Sequence, residues 1–208
     1  MWSTLIACPQ FRRFVPIVED IMAKKPPKPS LADIIRELPD EQEINEVWDE
    51  ISKGNDRAAA IMGAALLEDA LRYAITSRFV ALSPDDYEKL YDGPSAPLAS
   101  FDSLIRVGHA VGLFGTLTRN DLLIIKKVRN GFAHAMKPIS FLTPAIAAEV
   151  TKLNFVGWKR AQVAMLLIGG LSNGSPARQT YAEHVRLLID EIMNLAFSGA
   201  ATPAPKLP

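Results

Sequence analysis

The chain is poor in the residue types on which much protein chemistry is built. Of its 208 residues one is cysteine and three are histidine. The lone thiol, Cys8, has no partner for an internal disulfide and no ligand spacing around it, which excludes a disulfide scaffold and a zinc finger. Neither sign of charge is in excess: 23 basic and 23 acidic residues give a formal net charge of zero. Proteins that grip nucleic acid by its phosphates carry a broad basic footprint, so this balance argues against a direct DNA reader. Lys126, Lys127 and Arg129 remain as a local basic patch. Long apolar runs are missing too. AQVAMLLIGGL (161–171) is the most apolar stretch and is too short to cross a bilayer. LIAC (5–8) looks like a lipoprotein cleavage box, but only four residues precede it and none is basic, so the expectation is a cytoplasmic protein. There is no glycine-rich phosphate loop, serine nucleophile elbow, HExxH, hairpin signal or internal repeat. Nothing asks for a cofactor or a metal, and no membrane partner is expected.

What the chain does have is helical periodicity. Apolar residues make up 49% and charged residues 22%, ordinary for a globular protein. The pattern predicts an all-α, bundle-like fold of about eight helices and no strand. Residues 31–198 read as one helical domain. Before it lies a lead-in, 1–30, ending in the proline-rich basic spacer KKPPKPS, and after it a tail, 199–208, expected to be disordered.

In order, FRRFVPIVEDIM (11–22) reads as a short helix, and LADIIREL (31–38) as a helix capped by Ser30 and stopped by Pro39. An acidic helix over 40–54 ends at Gly54, with Ile44, Val47, Trp48 and Ile51 inward. A long helix over 55–82 starts at Asn55 and Asp56 and carries Ile61, Ala64, Leu71, Ile75 and Leu82 on its inner face. Glu68 falls seven residues from both Ile61 and Ile75, so it projects from that face and needs a partner. Arg129 suits it, since guanidinium and carboxylate meet in a fork; the plain alternative is a solvated rim carboxylate. Ser83 and Pro84 open a helix over 84–91, Ser100 one over 101–113, and Thr143 one over 144–153. WKRAQVAMLLIGGL (158–171) reads as core or interface. Ser175 and Pro176 open a last helix over 175–197, with Tyr181, Val185, Leu188, Ile189, Ile192, Leu195 and Ala196 inward. His109 reads as a packed or surface residue and His184 as surface.

The cleanest pattern lies in DLLIIKKVRNGFAHAM (121–136), for which Thr118 is the expected cap. Leu122, Ile125, Val128 and Phe132 form its buried stripe. Set into its end are Arg129, Asn130 and His134, a planar cation, an amide and a group that titrates near neutrality. Asn130 and His134, four apart, share a face, and Gly131 between them is where the helix is expected to loosen. The plain reading is that Arg129 pairs with a carboxylate and His134 sits favourably at a helix C-terminus.

This segment resembles the mannitol operon repressor family, and RNGFAH resembles the arginine–histidine motif of the wider HEPN superfamily of helical domains. NDRAAAIMGAALLEDAL (55–71) is similar to that family's opening long helix, and SAPLASFDSLIRVGHAVGLFG (95–115) to its loop and following helix. The resemblance implies an all-helical domain, frequent homodimers and a part in transcriptional regulation. In catalytic HEPN members it implies metal-independent RNA cleavage at paired motifs. Two functions follow as expectations, beside the blander reading of a helical domain whose RNGFAH is purely structural and whose partners are unknown. One is a regulator acting mainly through protein contacts, with any DNA contact indirect, because no helix-turn-helix with base-reading side chains is present. The other is a ribonuclease in which His134 moves protons, Arg129 stabilises the phosphorane charge and Asn130 orients phosphate or imidazole, with Glu68 as partner of Arg129.

Overall fold

The computed structural model of the chain describes residues 41–93, 95–154 and 175–198. Two compact units divide at Asp49 and Glu50. The helices expected over 11–22, 31–38 and 158–171, the lead-in and the tail lie outside the described residues. Among the described residues the protein is all-α, with seven helices and no strand. They are α1 (Glu41–Lys53), α2 (Asp56–Thr76), α3 (Pro84–Tyr91), α4 (Phe101–Ala110), α5 (Thr116–His134), α6 (Pro144–Val150) and α7 (Pro176–Ser198). No described helix is long and apolar enough to cross a membrane.

Local chemistry sets most of the boundaries. Asn55, Ser83 and Ser100 each accept a backbone N–H three residues on, satisfying a donor that the first helical turn leaves orphaned. Ser175 does the same for Arg178 N–H at 3.3 Å. Gly54 follows the last residue of α1 and donates its N–H to Glu50 O at 2.7 Å, an approach that leaves no room for a Cβ, which would lie 2.5 Å from that oxygen. Arg178 then closes the end of α1, its Nη2 donating to the carbonyls of Ile51 and Gly54, each at 2.7 Å.

Four boundaries differ from the sequence reading. The long helix stops at Thr76, so Leu82 lies outside it, half-buried. The Thr76 and Ser77 hydroxyls donate back to the carbonyls of Arg72 and Ala74, an alternative to continuing the helical ladder. The helices read over 101–113 and 144–153 end at Ala110 and Val150. The central helix begins at Thr116 with Gly115 as N-cap, which leaves Thr118 inside the first turn, and Gly131 does not loosen it: helical backbone runs on to His134.

Within the second unit the other described helices gather on α2, whose buried residues are Ala59, Ala60, Gly63, Ala64, Leu67, Ala70, Leu71, Ala74 and Ile75. Such small side chains let neighbours come close on several sides. α7 runs beside it in the same direction: Tyr181 Oη donates to Ala60 O at 3.1 Å, and the Tyr73 and Phe197 rings face each other at 6.0 Å. α5 runs against it, with Arg57 Nη2 donating to Ala135 O at 2.8 Å near one end. Between α5, α7 and the loop after α5, Phe141 is fully buried, with ring centroids 4.9 Å from Phe132 and 5.2 Å from Tyr181. These tilted pairs add about 0.5–1.5 kcal/mol each beyond the area they bury.

Candidate functional site

Two polar clusters lie on α5, one at each end. Near the C-terminal end, Arg129 projects beside the buried stripe of Leu122, Ile125, Val128 and Phe132. Its Nη2 donates to Glu68 Oε2 and its Nη1 to Asn130 Oδ1, both at 3.1 Å. The side chains of Arg129 and Glu68 are 30% and 18% exposed, so the pair is neither a solvated surface bridge nor a dry one. Burial pushes the Glu68 carboxyl above its ordinary range, an effect that Arg129, and more weakly Arg72, oppose without cancelling. Desolvation therefore outweighs attraction at this carboxyl, and the pair links α2 to α5.

The structure thus joins Glu68, Arg129 and Asn130 in one hydrogen-bonded chain. His134 stands apart from it. It is the last residue of α5, is exposed, and has no hydrogen-bond partner among the described residues. Within the chain the Arg129 guanidinium is engaged while the His134 imidazole is exposed. No group of acidic, histidine or cysteine side chains among the described residues is placed to hold a metal ion.

The second cluster, at the other end of α5, was not anticipated and corrects the surface placement of His184. That residue is 5% exposed and its Nε2 lies 3.0 Å from Asp121 Oδ2. Asp121, 3% exposed, accepts two more hydrogen bonds on Oδ1, from Asn154 N–H at 2.9 Å and Asn154 Nδ2 at 3.2 Å. A carboxylate this dry persists because both of its oxygens are hydrogen-bonded. Spacing held the signal. Asp121 lies four, seven and eleven residues before Ile125, Val128 and Phe132, and His184 lies three after Tyr181 and four before Leu188. Both are on buried stripes. His109, by contrast, is half-buried, its Nδ1 3.1 Å from Phe114 O and its ring stacked on Phe114 at 6.4 Å.

One solved structure shares this arrangement of helices. The chain is similar to a chain in the X-ray structure of the MtlR–HPr complex from Escherichia coli. The TM-score is 0.55 at 18% identity, over 72% of this chain and 97% of that one. At that identity the likeness speaks to the fold, and it agrees with the all-helical domain that the resemblance of residues 55–136 implies. No family model matches the chain, and no curated protein matches it.

Proposed function

We propose that this chain is a transcriptional regulatory protein similar to the mannitol operon repressors, acting in the cytoplasm through protein contacts and as a homodimer. The observation that carries the reading is the fold likeness, which spans nearly all of a chain solved in a complex named for two proteins. The engaged state of Arg129 supports it: a guanidinium shared by Glu68 and Asn130 works as an ordering element between α2 and α5. The basic patch read from the sequence is also largely spoken for, since Lys126 pairs with Asp102 and Lys127 with Glu149. Any DNA contact would then come through a partner. The test compares transcript profiles in cells with and without the gene, beside gel shifts of the purified protein on the responding promoters. Altered transcripts without a shift by the protein alone support the reading; unaltered transcripts overturn it.

A second reading has one observation in its favour. His134 is exposed at the end of α5, one turn beyond Asn130, where a second copy could bring a matching motif opposite it. In that case the paired motifs form a metal-independent ribonuclease, with His134 as acid or base, Arg129 as charge clamp, Asn130 as orienting group and Glu68 holding Arg129. RNA cleavage by the purified protein in chelator, abolished by both His134→Ala and Arg129→Ala in folded protein, supports it. Cleavage that survives His134→Ala sinks it.

A further inference from the structure

The loop between α5 and α6, residues 135–143, is fixed at both ends and yet leaves apolar side chains in water. Its first residue is held by Arg57 Nη2 on Ala135 O at 2.8 Å. Near its far end Asp56 Oδ2 accepts Phe141 N–H at 2.8 Å, and the Phe141 ring is wholly buried. Ser140 N–H donates to Thr143 Oγ1 at 3.0 Å, closing the turn into α6. Against this restraint, Met136 is fully exposed, with relative exposure 104%, and Leu142 is 72% exposed. A single exposed apolar residue on a mobile loop is unremarkable. Two on a loop stapled into the core are presented in a set geometry, which lowers the ordering cost of binding.

The exposed polar side chains beside this loop are mostly basic in type, with Asp56 the carboxylate that reaches it. Arg57, His134 and Lys137 are exposed, and none has a carboxylate partner among the described residues. Arg57 spends its hydrogen bond on a carbonyl, which leaves its charge unneutralised. The carboxylate at hand, Asp56, already serves Phe141 N–H and faces Arg178 Nε at 3.7 Å. In a chain of zero net charge, three basic side chains thus lie on or beside a loop that exposes two apolar ones.

The geometry points to the 135–143 loop as a docking surface for a protein partner whose apolar side chains are bracketed by carboxylates. Met136 adapts its shape to an apolar insert and Leu142 anchors it, while Arg57, Lys137 and His134 meet the flanking carboxylates. The inference deepens the regulatory reading and rests on it, naming the face through which contact is made.

The experiment uses the full chain and a labelled synthetic helical peptide with leucines on one face and glutamates on both flanks. Its comparison probes are the same peptide with lysines for glutamates, vesicles of anionic phosphatidylglycerol, and single-stranded RNA. Fluorescence polarisation is read for wild type, Lys137→Glu, Leu142→Asp and, as a surface control, Val80→Asp, with folding of each checked by circular dichroism. The expected result is that the acidic peptide binds wild type, weakens with salt, and loses about tenfold in affinity in Lys137→Glu and Leu142→Asp but not in Val80→Asp. Failure of the acidic peptide to bind, binding indifferent to the two loop substitutions, or preference for the lysine peptide, vesicles or RNA overturns the proposal. Transcript profiles of cells carrying the loop variants separate the two layers. Wild-type profiles there, together with failed peptide binding, remove this surface and leave the regulatory reading standing; profiles that ignore loss of the whole gene remove that reading itself.

Discussion

At the scale of single residues, the two polar clusters of α5 differ in what their chemistry does. Glu68 is held above its ordinary pKa by burial, so its charged form is disfavoured by folding. The sign follows by linkage: its contribution to stability is complete below the ordinary value of 4.5 and is lost as pH rises through the raised one. Asp102 and Glu149 are held low by Lys126 and by Lys127, so their contributions are lost only as pH falls through the lowered values. Glu68→Gln should therefore be as stable as wild type or more so at about pH 7.5, and should lose part of the gain that wild type shows at about pH 5. Urea midpoints at the two pH values check it, and a marked loss of stability at the higher pH would refute the desolvation argument.

Asp121 predicts the opposite behaviour. Removing it by Asp121→Ala takes the acceptor from His184 Nε2 and from both Asn154 donors, at a cost of about 1–3 kcal/mol. Asp85→Ala, which breaks the exposed pair with Lys89, should cost no more than about 1 kcal/mol. Denaturant unfolding of the two variants side by side tests the contrast. Glu68 was readable as an inward residue because apolar residues flank it at heptad spacing. His184 is the harder case: its polarity suggests the surface, whereas Tyr181 and Leu188 bracket it on the buried stripe.

Among the helices, caps were the most legible feature, since Asn55, Ser83 and Ser100 act through their own side chains on the next turn. Helix ends were harder. What stops α2 at Thr76 is competition between hydroxyls and backbone for the same carbonyls, which apolar spacing does not reveal. What fixes the turn after α4 is tertiary: the Phe114 ring folds back over Gly108, where an added Cβ would lie 2.7 Å from ring carbon Cε1. Gly108→Ala is therefore expected to be destabilising by about 1–3 kcal/mol through overpacking, despite alanine's better helix propensity. Thermal unfolding, with Gly93→Ala as comparison, measures it; a stabilised Gly108→Ala variant would show that the ring yields.

For the molecule as a whole, the all-helical class was open to a reader of the sequence because periodicity needs no partner. Which helix sits at the centre was not. Apolar contrast drew the eye to α5, whereas α2, alanine-rich and less two-faced, is the one that neighbours surround. Centrality is a property of what packs on a helix, and small side chains advertise it poorly.

The pairing of α2 with α7 has a consequence in time as well as space. The two meet at Ala60 and Tyr181, across 121 positions of chain. On a ribosome, which feeds residues out from the N-terminus, α2 emerges long before the helix that covers it. Its alanine-lined face therefore waits bare while the rest of the domain is made, a window in which chaperones and stray chains compete for the same surface. A chain halted at residue 174 should expose that face permanently, bind a hydrophobic dye and aggregate, whereas the chain extended through α7 should do neither. Synthesis of α7 is the step that lets this face be covered.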